Sequence, residues 1–187
     1  MPRQLISTLD RLPLPMKNVL LVLIFGLVGF SCETKKDEPA KPEPITIGDI
    51  SRSEICRASL DGLSKGDIDS FVGSMADNAV YVFNNGDSLV GKEAITNYWR
   101  DRRENVIDKL TFSSDVWLVV NVNEAPSSRV MTGPWVMGWF LAKATYKTGK
   151  SMQQWIHTDY HLNNEGKIDR VIQYLDRQSI NQAQQSE

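Results

Sequence analysis

The chain has 187 residues, 41% of them hydrophobic and 24% charged, with a formal net charge of -2. That is enough apolar side chain for one domain with its own core, and too little net charge to keep the whole chain unfolded. The bases Arg3, Arg11 and Lys17 precede Cys32 against a single acid, Asp10, so the rest of the chain is more acidic than the whole and gives no electrostatic reason to expect nucleic acid as a partner.

The first element in chain order is an apolar run, Val19–Phe30, of about a dozen residues. A membrane span needs about 20. With Lys17 as its positive flank, the run reads as the core of a signal peptide covering residues 1–31, and Met16 offers an alternative translation start. Its ending, Gly29-Phe30-Ser31-Cys32, resembles a bacterial lipobox, although Phe30 departs from the strict form. The resemblance implies that Cys32 is lipidated and anchors the chain to the outer membrane in the cell envelope of a Gram-negative bacterium. Acyl chains contribute about 0.8 kcal/mol per buried CH₂, so several on one residue hold firmly. Residues 32–48, with "ETKKDEPAKPEP", are charged and Pro-rich and read as a flexible tether. With Cys32 modified, Cys56 has no partner for a disulfide and reads as a small buried hydrophobe.

From Asp49 the pattern predicts ordered elements. "DISRSEICRASLDGLSKGD" is a helix, capped by Ser51 or Ser53 and ended by Gly66. Asp67 caps a short second helix, "IDSFVGSM", with Ile68, Phe71, Val72 and Met75 on one side. "NAVYVF" and "SLVG" are strands joined by the Asn-Gly turn "NNGDS". "KEAITNYWRDRREN" is a third helix with Ile95, Tyr98, Trp99 and Arg102 at helical spacing, its bases Arg100, Arg102 and Arg103 interleaved with acids as on a solvated face. The long runs "KLTFSSDVWLVVNVN", "RVMTGPWVMGWFLAKATY", "SMQQWIHTDYHL" and "KIDRVIQYLDR" are strands, the last three joined by the turns "KTGK" and "NNEG". Residues 179–187 read as a frayed tail. The order implies an α+β fold, a curved antiparallel sheet packed against the N-terminal helices.

Four pieces, "LSKGDIDSFVGSMADNAVYVF", "GDSLVGKEAITNYW", "TGK" and "EGKIDRVIQYLD", occur in an order that resembles the SnoaL-like branch of the nuclear transport factor 2-like superfamily, over residues 49–178. The resemblance implies a cone-shaped α+β barrel, often dimeric, with a pocket between helices and sheet. Such domains include isomerases, cyclases, dehydratases, epoxide hydrolases and pure binding or assembly modules, so the fold alone assigns no activity. Related enzymes carry pocket acids at positions that correspond here to Thr158 and Gln173; neither is an acid.

The hairpin register selects candidate pocket residues. With Thr148 and Gly149 as the two central turn residues, Lys147 faces Lys150. Trp135, Met137, Trp139, Leu141 and Lys143 then share a face with Gln154, Ile156, Thr158, Tyr160 and Leu162. The apolar bulk of this face assigns it to the core and pocket, with Trp135, Met137, Trp139, Thr158, Tyr160, Gln173 and Tyr98 as ligand-binding residues. Val136, Gly138, Phe140, Ala142, Ala144, Trp155, His157, Asp159 and His161 fall on the other face, outside the expected pocket. His157, Asp159 and His161 alternate along one strand side and, with Asp176, are the alternative catalytic groups. The two histidines lie about 13 Å apart at their Cβ atoms, too far to share one small ion. No Cys-based metal spacing and no phosphate loop is present in the sequence, so neither metal nor cofactor is expected.

The leading expectation is a lipid-anchored domain that binds a small, largely apolar molecule, with a homodimer formed through the nonpocket sheet face. The alternatives are an isomerase-, cyclase- or dehydratase-type enzyme using His157, Asp159, His161 or Asp176, and an assembly domain whose pocket is filled by its own side chains.

Overall fold

The computed structural model describes residues 41–185, so the signal segment and Cys32 lie outside the described residues. Seven strands form one sheet: β1 (Ile45–Ile47), β2 (Met75–Phe83), β3 (Ser88–Val90), β4 (Ile107–Val122), β5 (Gly133–Tyr146), β6 (Ser151–Leu162) and β7 (Ile168–Tyr174). Four helices accompany it: α1 (Ser53–Lys65), α2 (Ile68–Gly73), α3 (Lys92–Asp101) and α4 (Arg177–Gln184). The strand order is β1-β4-β5-β6-β7-β2-β3. The fold is α+β as expected, with two corrections. The sheet is mixed, because β2 runs parallel to β7. It is also open, with β1 and β3 as free edges, and does not close into a barrel.

The helices follow their local signals. Cys56, Ser59, Leu60 and Leu63 recur at helical spacing on α1 and are buried. Gly66 ends α1 in the left-handed region, and Asp67 caps α2 by accepting from the Ser70 amide. Helix α1 packs on α2 and β4, and α3 on β2, so the core lies between this layer and one sheet face.

Three segments differ from the sequence reading. Ile45–Ile47, expected within the tether, pairs with Val120–Val122 as an edge strand, consistent with its β-branched Ile-Thr-Ile run. The expected tail instead holds α4. Asp176 caps that helix by accepting from the Gln178 amide, and Gln154 grips its start, accepting from the Asp176 amide at 2.7 Å. Thr148 Oγ1 donates to Ala183 O at 2.6 Å near its other end.

The third difference is one of register. The β5–β6 turn has three residues, Lys147–Gly149: Tyr146 N donates to Lys150 O at 2.8 Å, Gly149 N donates to Tyr146 O at 2.9 Å, and Gly149 has φ 83°. A glycine in the left-handed position adds one residue to the loop and shifts β6 by one place. Trp139 therefore faces His157 rather than Thr158, and Leu141 faces Trp155. The inner face of β5 is Val136, Gly138, Phe140, Ala142 and Ala144, all buried. Trp135, Met137 and Trp139, expected inside, are on the outer face, and Phe140, expected outside, is fully buried. On β6 the expected parity stands: Ile156, Thr158, Tyr160 and Leu162 are buried.

Gly138 has a packing role on that inner face. A Cβ there would lie 2.6 Å from Trp117 Cζ3, so the indole crosses the sheet only because this position has no side chain.

Candidate functional site

The inner sheet face narrows over Trp117, Phe140 and Tyr160 and then opens where β5 carries alanines. Trp117 stacks near Phe140 at 6.2 Å between ring centroids. Beyond Phe140, Ala142 and Ala144 leave room that leucine or phenylalanine would fill. The result is a cavity of about 220 Å³. Its floor is Ala142, Ala144, Met152, Ile156 and Gln173 from the sheet, with Ile107, Leu110 and Phe112 of β4 beside them. Phe83, Tyr98 and Trp99 form an aromatic wall, with Phe83–Tyr98 and Tyr98–Trp99 centroids each 5.4 Å apart. Arg177, Ile180, Asn181 and Gln184 of α4 close one side, and Arg102, Tyr146 and Leu175 belong to the same lining.

Arg102 begins a π-helical turn, Arg102–Val106, that follows α3. A wide turn adds a residue to the helical spiral and re-aims the side chains around it. The three arginines expected on one solvated face are separated. Arg100 reaches Asp69 at 3.0 Å, Arg103 donates to Ile107 O and Ser64 O, and Arg102 lines the cavity.

Of the sequence-predicted ligand residues, Tyr98 and Gln173 line the cavity. Thr158 and Tyr160 are buried on the inner face but belong to the packed core rather than the lining. Thr158 and Gln173 are cross-strand partners between β6 and β7. Thr158 Oγ1 and Gln173 Oε1 are both buried without a hydrogen-bond partner that meets the geometry. The two positions where the resemblance expects acids are thus neighbours, and both are neutral. Burial pushes the Tyr81 and Tyr160 phenols up, and Tyr81 approaches Gln173. Burial also raises Tyr146, opposed by the Arg102 charge and a contact with Gln184. The lining contains no aspartate, glutamate or histidine.

The alternative catalytic groups lie elsewhere. His157 is on the outer face, stacked between Trp139 at 4.5 Å and Tyr174 at 5.8 Å, and its Nε2 lies 2.9 Å from Asp159 Oδ1. That contact is off-axis for a hydrogen bond, and burial raises the Asp159 carboxyl against the lowering pull of His157. His161 is buried: Nδ1 lies 2.6 Å from Asp169 Oδ1 and Nε2 lies 2.9 Å from Thr132 O. Both partners are acceptors, so the ring is a pin holding the β4–β5 connection to β7, with no nitrogen left for a substrate. Asp176 caps α4. None of the four lines the cavity. Among the described residues no group of three or more His, Cys, Asp or Glu could hold a metal ion, and no helix is long and apolar enough to cross a membrane.

Sequence reading missed Arg102, Arg177, Ile180, Asn181 and Gln184. A signal for α4 was present: Asp176 at an N-cap position, followed by Ile180 and Ala183 three residues apart.

No curated protein matches the sequence. Among solved structures the chain is similar to a polyketide cyclase candidate from Xanthomonas campestris pv. campestris, at 15% identity and TM-score 0.59 over 74% of this chain and 100% of that one. It is similar to an NTF2-like protein of unknown function from Burkholderia pseudomallei, at 11% identity and TM-score 0.58 over 72% and 98%. An LEH-like epoxide hydrolase from M. tuberculosis aligns at 14% identity and TM-score 0.55 over 71% and 88%. Likeness at such identities carries the fold alone. Residues 56–171 match the SnoaL-like domain family, and with helices layered on one face of a curved sheet the chain belongs to that family.

Proposed function

We propose that this chain is a lipid-anchored binding domain that holds a small, largely apolar molecule in the cavity between α3, α4 and the sheet. The observation that carries the reading is the cavity itself: about 220 Å³, floored by alanines and aliphatic side chains, with neutral polar groups and arginines but no carboxylate or histidine in its lining. A general base must lie within hydrogen-bond reach of its target, and the groups suited to that task near neutral pH stand outside. The open volume also favours this reading over an assembly domain filled by its own side chains. Cys32 is the proposed anchor, placing the domain at the outer membrane of a Gram-negative envelope. The outer sheet face, with Trp155 56%, Tyr174 48% and Trp139 37% exposed, is the proposed homodimer surface.

The test is native mass spectrometry of the freshly purified full chain beside Ala144→Leu, which fills the cavity. A retained small-molecule adduct in the first and not in the second is expected. An adduct of equal occupancy in both would place the binding elsewhere and overturn the reading.

A further inference from the structure

We infer that the guest of this cavity is an apolar monocarboxylate, its acid group meeting Arg102 and Arg177 and its hydrocarbon part lying over Ala142 and Ala144. This rests on the binding reading above and adds the charge and size class of the ligand.

Charge is the first observation. The chain is net negative, yet the charged side chains of the cavity lining are two arginines and no acid. Both arginines are half-buried. Each guanidinium rests over an aromatic ring of the wall, Arg102 at 5.9 Å from the Tyr98 centroid and Arg177 at 5.4 Å from that of Phe83. Neither has a strong ionic partner among the described residues. Among the described residues no carboxylate is within ion-pair reach of Arg102, and Arg177 has Asp87 at 3.9 Å, a side chain that is 75% exposed. An exposed pair at that distance holds an arginine weakly.

Uncommitted donors are the second observation. Trp99 Nε1 belongs to a lining residue and is buried without a hydrogen-bond partner, and Gln184 Nε2, likewise buried in the lining, has only a contact with the Tyr146 phenol. Gln173 Oε1 is the one lining acceptor in the same condition among the described residues. A wall of guanidinium and N–H donors beside an apolar floor suits a carboxylate, which accepts several charge-assisted hydrogen bonds and fits a guanidinium fork. An ammonium guest would meet two like charges, and an uncharged guest would forgo the ion pair and the bidentate fork.

Size follows from volume. At about 30 Å³ per water-sized group, 220 Å³ holds about seven such groups. That is the hydrocarbon of a medium-chain or small aromatic acid.

The experiment titrates the purified full chain by calorimetry with heptanoate, heptanol and heptylamine, which differ in head group alone. Heptanoate should bind at least about tenfold more tightly than heptanol, the amine should bind weakest, and added salt should weaken heptanoate alone. Arg102→Gln and Arg177→Gln should each reduce heptanoate affinity several-fold and heptanol affinity by less, narrowing the gap between acid and alcohol; both sites are half-exposed and tolerate the loss of charge. Equal affinities for acid and alcohol, or tightest binding of the amine, would overturn the inference while leaving the cavity reading intact. No binding of any of the three, together with an Ala144→Leu variant that behaves identically, would remove the cavity reading and this inference with it.

Discussion

Replacing Ala144 by leucine tests whether the volume above the sheet is real. Ala144 is 1% exposed and lines the cavity. Leucine adds three carbons, about 90 Å³ at roughly 30 Å³ each, against about 220 Å³ available. At about 24 cal/mol per Å³ of cavity removed, the gain is about 2 kcal/mol. Three buried methyl or methylene groups at about 0.8 kcal/mol each give a similar figure. Fixing the leucine rotamer costs about 0.5–1 kcal/mol, so a net stabilisation of about 1–2 kcal/mol is expected. Urea unfolding of the purified chain reads it as a higher midpoint at constant slope. Val136→Leu is the contrasting variant. Val136 is fully buried on the same inner face but is not part of the cavity lining, so its extra methylene has nowhere to go and should cost about 1–3 kcal/mol. If Ala144→Leu loses 1 kcal/mol or more as Val136→Leu does, about a methylene's worth of overpacking, the space above Ala144 is not free.

Further outcomes are expected. Cys32→Ser should move the protein from the detergent phase to the aqueous phase in a partitioning assay; unchanged partitioning would refute the lipid anchor. Trp155→Glu should convert a micromolar dimer to monomer in analytical ultracentrifugation, and a monomeric parent protein would refute the outer-face dimer. Tyr81, Tyr146 and Tyr160 have phenol pKa values raised above 10.0 by burial. Above that pH the unfolded chain releases protons that the folded chain keeps, so stability is full below pH 10 and falls as pH rises, by up to about 1.4 kcal/mol per pH unit per group. Tyr160→Phe should flatten that alkaline loss, and an unchanged slope by denaturant titration across this range would count against the assignment.

Much of the fold was legible because its signals are local. Asp67 and Gly66 punctuate the first helices, and alternation marks Ile156, Thr158 and Tyr160 as one face of β6. Tyr98 on α3, picked out by its helical spacing, and Gln173 on β7, picked out by the family resemblance, both line the cavity. The parity of β5 was not legible from bulk. "KTGK" supports both a two-residue turn and a three-residue turn with glycine in the left-handed position, and the two differ by one residue. Apolar size then pointed the wrong way. A cavity needs small residues, so the face that lines it carries Ala142 and Ala144, while Trp135 and Trp139 stand outside. The arginines were hidden for another reason. Arg102 follows Tyr98 and Trp99 by four and three residues and so shares their helix side, but grouping it with Arg100 and Arg103 as a solvated face hid this, and Arg177 reaches the lining from a helix whose composition is mostly polar.

Helix α4 has a practical consequence for handling the protein. Eight residues are too few to remain helical in water unaided. The segment keeps its shape through the Asp176 cap, the Gln154 grip and the Thr148 bond to Ala183 O. Yet Arg177, Ile180, Asn181 and Gln184 are cavity wall. A purification tag fused close behind α4 therefore comes near the binding site, and trimming the chain back to Asp176 would leave the cavity with one side missing. Ligand screens on such material would report on a different cavity, so affinity handles belong at the other end, downstream of Cys32 and ahead of Ile45.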